Sequence, residues 1–339
     1  MLGTLVVGLG RAGAGLHLPV LRKLGHGGGR PYGQPPITVY DPQRGPDEPA
    51  EPSGPSDVAV AHSLAHAATM IDPRRTVVHL CTGPSARLRP LTELADLGFR
   101  RFLVEKPLAV DEVELREVLR LREQAGLDLV PVAQWRCSEL TARVLGVLRG
   151  GRLGRLKSVE FVQSKPRFAR TLAGDDHPSA FDVELPHSLT VALMLAGGAE
   201  VLGAGCADML LGDAVFPAMG SAWLRLRHAD GVHTEIRADL TSPVRERRMT
   251  VELEGGTLVG HYPISAADEY AQLSVRTRGG KVDSVFRDDS LAAFFTRVYR
   301  HFEGEEPIVD EPATGVAVAV LVAEAKRRAG LRVPVGVER

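Results

Sequence analysis

"LVVGLGRAGAGLH", residues 5–17, decides the fold. A short apolar run ends at Gly8, and the pattern Gly8-x-Gly10-x-x-Gly13 then opens a helical segment. A dinucleotide turn needs glycine at three points. The first makes the tight turn, the second lets backbone approach a pyrophosphate, and the third lets the helix pack close to the strand. The helix N-terminus that follows offers unpaired N–H groups and the positive end of its dipole. Gly8, Gly10 and Gly13, with Arg11 and Ala12 between them, are therefore the expected cofactor turn. Glycine turns are common in a chain with 36 glycines, so the pattern gains its meaning from context.

That context is a regular alternation over the first 135 residues. Short β-branched runs appear at "TLVVGLG", "ITVYD", "DVAVAH", "TVVHLCTG", "RFLVEKP" and "LDLVPVAQ". Helical patterns such as "ARLRPLTELADLG" and "DEVELREVLRLREQAG" lie between them. Nearly continuous apolar strands alternating with helices predict a doubly wound parallel sheet, a Rossmann domain over residues 1–135. The second run ends in "VYD", which places Asp41 where a carboxylate binds both ribose hydroxyls and repels a 2′-phosphate. NAD is then the expected cofactor, with NADP admitted if Arg44 folds toward the ribose. The competing reading is that Asp41 merely starts the turn at Pro42. Two loops rich in glycine and proline, 25–36 and 45–57, are expected to be exposed and mobile. Ligands of such sheets lie outside the carboxyl ends of the strands, so Thr82, Gly83 and Pro84 should border the cofactor, with Arg87 nearby.

After residue 135 the rhythm changes. Long alternating segments are broken by Asp230-Gly231, Gly255-Gly256 and Gly279-Gly280, dipeptides suited to hairpin turns. Residues 136–339 are therefore read as an open antiparallel sheet with helices on one face, an α+β domain following the α/β one. Helices are expected near 179–196, 291–303 and 313–329.

Composition narrows the function. With 339 residues the chain suits two domains, and 44% hydrophobic with 24% charged residues is that of a globular protein. The net charge of −1 gives no field to attract nucleic acid or anionic lipid. Three scattered cysteines form no disulfide framework or zinc spacing, and the longest apolar stretch, residues 315–326, is too short to span a bilayer. A cytoplasmic protein with no metal, nucleic-acid or membrane partner is expected. His62 and His66 lie one helical turn apart but lack a third ligand.

"RFLVEKP", 101–107, ends the fifth strand in acid, base and proline. Pro107 restricts Lys106 to extended backbone and makes the Lys106–Pro107 bond a candidate for cis. An ammonium so held can bind a substrate hydroxyl and stabilise charge as hydride leaves. The alternative is a surface Glu-Lys pair.

Here the chain resembles the glucose–fructose oxidoreductase / inositol dehydrogenase (Gfo/Idh/MocA) family over nearly its whole length. The resemblance rests on "VVGLGRAGAGLHLPVL", "VEKPLAV", "AQWRCSEL", "GGRLGRLKSVEFVQS" and the closing "EEPIVDEPATGVAVAVLVAEAKRRAG". It implies NAD(P)-dependent oxidation or reduction of a hydroxyl-bearing carbon on a sugar or cyclitol. It also implies that Lys106 is the active-site lysine, that Glu105 is its structural neighbour, and that the chain is a homodimer or homotetramer through the second sheet. The family's second motif places an aspartate four residues before a histidine. In "AFDVELPHSLTVALMLAGG" the histidine is His187, but Val183 stands at the aspartate's position, and Thr190 replaces a following aspartate. Glu184 lies three residues before His187 on roughly the same helical face, while Asp182 is rotated away. Glu184 is therefore the preferred acid and Asp182 the alternative. Pro186 either kinks that helix or starts a new one.

His187 suits the base role because an ordinary imidazole titrates near working pH. Lys165, Arg167 and Arg170 in "SKPRFAR" either bind an anionic group of the substrate or form a solvated loop. Arg136 and Gln134 lie at the domain junction, where Arg136 is a candidate substrate ligand. Two other readings stand beside the dehydrogenase. One is a reductase of a C=N or activated C=C bond, which the altered acid fits. The other is a dinucleotide-binding regulator without chemistry, which the presence of both Lys106 and His187 argues against.

Overall fold

A computed structural model describes residues 2–26, 36–43, 57–174, 177–265, 268–308 and 311–331. Arg44 and most of both expected loops lie outside these residues. The chain divides into two compact units, Met1–Val132 with Ala292–Val316, and Ala133–Leu291 with Ala317–Arg339.

In the first unit, strands β1 (Gly3–Val7), β2 (Ile37–Tyr40), β3 (Val58–Val60), β4 (Thr76–Leu80), β5 (Arg101–Val104) and β6 (Asp128–Pro131) form one sheet. Its order is β3-β2-β1-β4-β5-β6 with every pair parallel, so the order reverses between β1 and β4. Helices α1 (Leu18–His26), α2 (Leu64–Met70), α3 (Leu88–Asp96) and α4 (Glu112–Ala125) connect the strands. Local signals set their ends. Asp111 caps α4 by accepting from the Glu114 N–H at 2.8 Å, and Glu114 accepts in return from the Val110 N–H at 2.8 Å. All of β4 is buried, as a central strand covered on both faces must be.

The second unit carries α5 (Glu139–Gly150), β7 (Leu156–Ser164), α6 (Phe168–Leu172), α7 (Ala180–Val183) and α8 (Leu185–Ala196). These lead into β8 (Ala199–Leu211), β9 (Ala214–His228), β10 (His233–Asp239), β11 (Glu246–Leu253), β12 (Gly256–His261), β13 (Tyr270–Thr277) and β14 (Gly280–Arg287). Eight strands lie in the order β14-β13-β12-β11-β7-β10-β9-β8. The three expected hairpins are present as β9–β10, β11–β12 and β13–β14. The sheet is not wholly antiparallel, because β7 pairs with β10 in parallel. Burial alternates along β7 and β10: Val159, Phe161, Thr234, Ile236 and Ala238 face a core that includes residues of α5, α7 and α8. Two last helices, α9 (Ser290–Phe302) and α10 (Glu311–Arg328), end the described chain.

Two expectations need correction. The single helix near 179–196 is broken at Glu184, because Pro186 in the first turn of α8 starts a new helix. Residues 292–316, expected with the second domain, group with the first unit instead. The cause is the apolar face of α9, whose Phe294, Phe295, Val298 and Tyr299 are fully buried. Among the described residues no helix is long and apolar enough to cross a membrane.

One buried ion pair links α7 to α10. Lys326 Nζ donates to Asp182 Oδ1 at 2.6 Å, with both side chains almost wholly buried, and Ser179 Oγ donates to the other carboxylate oxygen at 2.7 Å. Removing one member leaves a buried charge uncompensated. Lys326→Met should therefore lose about 3 kcal/mol of stability in urea unfolding, and Asp182→Asn in the same chain should recover most of it.

Candidate active site

The carboxyl edge of the parallel sheet is built around the first glycine turn. Gly8 adopts φ +90°, and a Cβ there would meet the Thr82 nitrogen at 2.9 Å. A Cβ at Gly13 would lie 1.9 Å from the Gly8 carbonyl oxygen. These two glycines are demanded by the chain's own packing. Gly10 is not, since a Cβ there meets nothing within 4 Å. The open space over Gly10 is what a pyrophosphate requires. Thr82, in the loop just after β4, adds a buried hydroxyl without a hydrogen-bond partner. On these two observations the edge fits a dinucleotide.

From Gly13 to His17 the chain makes a π-helical turn before α1, and the His17 N–H reaches back to the Ala12 carbonyl at 2.8 Å. Sequence periodicity predicts an ordinary helix here. The widened turn leaves His17 completely buried, while Arg11 is exposed.

Asp41 follows β2 and faces the turn. Its Oδ2 accepts from the Leu9 N–H at 2.6 Å and its Oδ1 from the Gln43 N–H at 2.8 Å. The turn-starting reading is met by the bond from Gln43. The carboxylate starts the local turn and also braces the glycine loop, where each oxygen keeps a lone pair for a further donor.

The Glu105-Lys106-Pro107 turn is held from beneath by Arg87. This buried guanidinium donates to the Pro107 carbonyl and, at 2.8 Å, to the Thr82 carbonyl, so it ties the loops after β4 and β5 together. Burial pushes its pKa down to about 10, against the pull of Glu105, and it remains a cation at neutral pH. Lys106 is half-buried and precedes a cis proline bond. Burial raises the Glu105 carboxyl, but the hydrogen bond from His17 and the nearby Lys106 and Arg87 cations outweigh it, and the group sits below its ordinary value.

In the second unit His187 is half-buried on α8 and stacks on Trp135, with ring centroids 5.5 Å apart and planes 28° apart. Trp135 stacks in turn on Tyr262 at 4.0 Å, and the Tyr262 hydroxyl meets Thr141 Oγ1 at 2.9 Å. Glu184 is buried, with its carboxylate accepting from Lys165 Nζ and its carbonyl from Gln163 Nε2 at 2.9 Å. Asp182 is paired with Lys326. Both acids flanking the Val183 gap are therefore engaged by lysines, and Val183 itself is buried in the apolar core. Thr190 Oγ1 donates to the Pro186 carbonyl one turn back in α8 at 2.7 Å. The solvated-loop alternative for "SKPRFAR" fails at Arg167, which is only 7% exposed, while Arg170 is exposed but lies on α6. Arg136 is half-buried in a short 3₁₀ turn spanning Gln134–Cys137.

Sequence reading missed the two histidines beneath Glu105 and the aromatic stack beneath His187. A signal for the first was on the page: one histidine in the otherwise apolar run "TVVHL".

No family model matches the sequence, and no curated protein matches it. Solved structures do. The UDP-N-acetylglucosamine 3-dehydrogenase of Acidithiobacillus ferrooxidans is similar at 17% identity and TM-score 0.69, covering 97% of each chain. A 3-ketoreductase of Actinomadura kijaniata, in complex with NADP and TDP-benzene, is similar at 14% identity and TM-score 0.76, covering 96% of this chain and 97% of that one. At such identities the likeness establishes the two-unit fold, a parallel Rossmann-like sheet with a separate, mostly antiparallel one.

The glycines separate folding from binding. Gly10→Ala should keep the melting temperature of the parent and weaken NADH or NADPH binding about tenfold, read by fluorescence titration. Gly13→Ala should instead cost about 3 kcal/mol or more of stability, because its Cβ overlaps backbone.

Proposed function

We propose that the chain is an NAD(P)-dependent oxidoreductase acting on a secondary hydroxyl or ketone of a sugar, cyclitol or related metabolite. The observation that carries this reading is the open space over Gly10, at a sheet edge that also presents Lys106. Support comes from the fold shared with a nucleotide-sugar dehydrogenase and an NADP-bound ketoreductase, and from the sequence resemblance to the glucose–fructose oxidoreductase family. When bound, the nicotinamide supplies the hydride acceptor or donor. The Gly8–Gly13 turn and Thr82–Pro84 hold the dinucleotide, and Asp41 selects NAD by binding the ribose hydroxyls and repelling a 2′-phosphate.

For oxidation, the Lys106 ammonium hydrogen-bonds the substrate hydroxyl oxygen and stabilises its developing negative charge. The His187 imidazole takes the hydroxyl proton as the carbon gives up its hydride. Trp135 fixes the plane of that imidazole, and Glu184, held by Lys165, is the acid nearest to it in sequence. Arg136 and Arg167 are the cations assigned to substrate groups beyond the reacting carbon, since Lys165 is engaged by Glu184.

The outward face of the second sheet is proposed as the surface for a homodimer or homotetramer. It presents Trp223 beside rows of opposite charge, such as Arg237 to Glu235 at 2.9 Å and Arg248 to Glu160 at 3.5 Å.

A panel of sugars, cyclitols and their keto forms, followed by NADH absorbance, tests the activity. His187→Ala should lower turnover roughly 10²–10⁴-fold and leave NADH binding unchanged, the range expected for loss of a general base. Lys106→Met should be as damaging, and full activity in that variant would remove the assignment. Parallel titrations with NADH and NADPH should favour NADH, with the preference lost in Asp41→Asn. Light scattering should give two or four times the chain mass, falling to one in Trp223→Asp.

A further inference from the structure

Beneath the Lys106 turn lies a continuous buried chain of polar side chains with no place in the reaction above. His17 Nε2 meets Glu105 Oε1 at 2.9 Å, and His17 Nδ1 meets His79 Nδ1 at 2.9 Å. His79 Nε2 meets the Tyr299 hydroxyl at 3.0 Å, and that hydroxyl meets Thr4 Oγ1 at 2.7 Å. Four elements supply it: β1, the turn before α1, β4 and α9. His17 and His79 are both fully buried. Phe295 of α9 packs edge-on against both rings, at 4.8 and 5.0 Å between centroids, and screens them from water.

The geometry admits one arrangement of protons when Glu105 is ionised and both imidazoles are neutral. A carboxylate only accepts, so His17 carries its proton on Nε2 and leaves Nδ1 bare. The bare nitrogen must accept, so His79 carries its proton on Nδ1. His79 Nε2 is then the acceptor for Tyr299, whose oxygen accepts from Thr4. Every proton points toward Glu105. Burial, and then the neighbouring His17, push the His79 imidazole well below its ordinary value, so it stays neutral. The other charged or titratable groups facing Glu105 are Lys106 and Arg87, both cationic, and Cys81, whose thiol is pushed up by burial.

We propose that this chain orders protons: Tyr299 and His79 are positioning residues that act through His17 to hold Glu105 as an anion beside the Lys106 ammonium. Without it, a carboxylate this deep would tend to take up a proton, and Lys106 would lose its counter-charge. The inference deepens the reading of Lys106 as the active-site cation and rests on it. The measurements that test it do not require turnover.

Long-range ¹⁵N–¹H correlation spectra of the full chain, labelled at histidine, read the tautomers directly. His17 should be protonated on Nε2 and His79 on Nδ1. A His79 protonated on Nε2 overturns the proposal. The second measurement is the rate at which acetic anhydride modifies each of the six lysines, scored by peptide mass. Tyr299→Phe should speed modification of Lys106 roughly two- to fivefold, since a less firmly held carboxylate leaves more free amine. The exposed Lys157 and Lys281 should be unchanged, and they report an intact fold. Thr4→Val should act in the same direction and Thr4→Ser should restore the parent rate, which a purely structural role would not require. An unaltered Lys106 rate in Tyr299→Phe overturns the proposal. Should Tyr299→Phe unfold, the parent tautomers and the Thr4 pair decide the matter. If Lys106→Met retains turnover, the active-site reading falls while these predictions stand.

Discussion

The contact between Gly13 and the carbonyl of Gly8 sets the geometry of the whole first unit. No side chain fits between them, so the helix begins almost against the strand end. That closeness widens the first turn into a π-helical one and leaves His17 inside, within reach of both His79 and Glu105. It also leaves Gly10 facing open space. One steric constraint therefore underlies both the open space at Gly10 and the buried polar chain.

Arg87 extends the same order sideways. Its guanidinium binds a carbonyl from each of two strand-end loops, which a lysine, carrying its donors on a single nitrogen, could not do with the same fork. The cation beneath the loops and the histidine chain beside them both favour an ionised Glu105. The turn that carries Lys106 is thus supported through backbone by Arg87 and through charge by Glu105. In the second unit, support for His187 is aromatic: Trp135 lies between it and Tyr262, and the Tyr262 hydroxyl is satisfied by Thr141.

Much of this was legible in the residues. The glycine turn, the six short strands and the hairpin dipeptides are local signals, each fixed by a period or by a special backbone need. Pro186 could be read as a break, although not which of its two outcomes would follow. What escaped reading depends on partners distant in sequence. Thr4 and Tyr299 are 295 residues apart, Asp182 and Lys326 are 144 apart, and nothing in the neighbourhood of either announces the other. Lys165 illustrates the difficulty: in sequence it resembles an anion ligand for substrate, yet its ammonium is engaged by Glu184. The parallel pairing of β7 with β10 was hidden for the same reason, since strand direction follows from the order of assembly and leaves no mark on side-chain alternation.

The return of α9 to the first unit has a consequence for biosynthesis. The parallel sheet emerges from the ribosome early, but the aromatic surface that covers His17 and His79 follows its last strand, Asp128–Pro131, only with α9, Ser290–Phe302. Until Phe295 and Tyr299 arrive, two imidazoles and the apolar strand ends around them lack their cover, a condition that favours aggregation in slowly synthesised chains. The N-terminal half is therefore complete only when nearly the whole polypeptide has been made, and nascent fragments that stop before α9 would be clients for holding chaperones rather than independently folded domains.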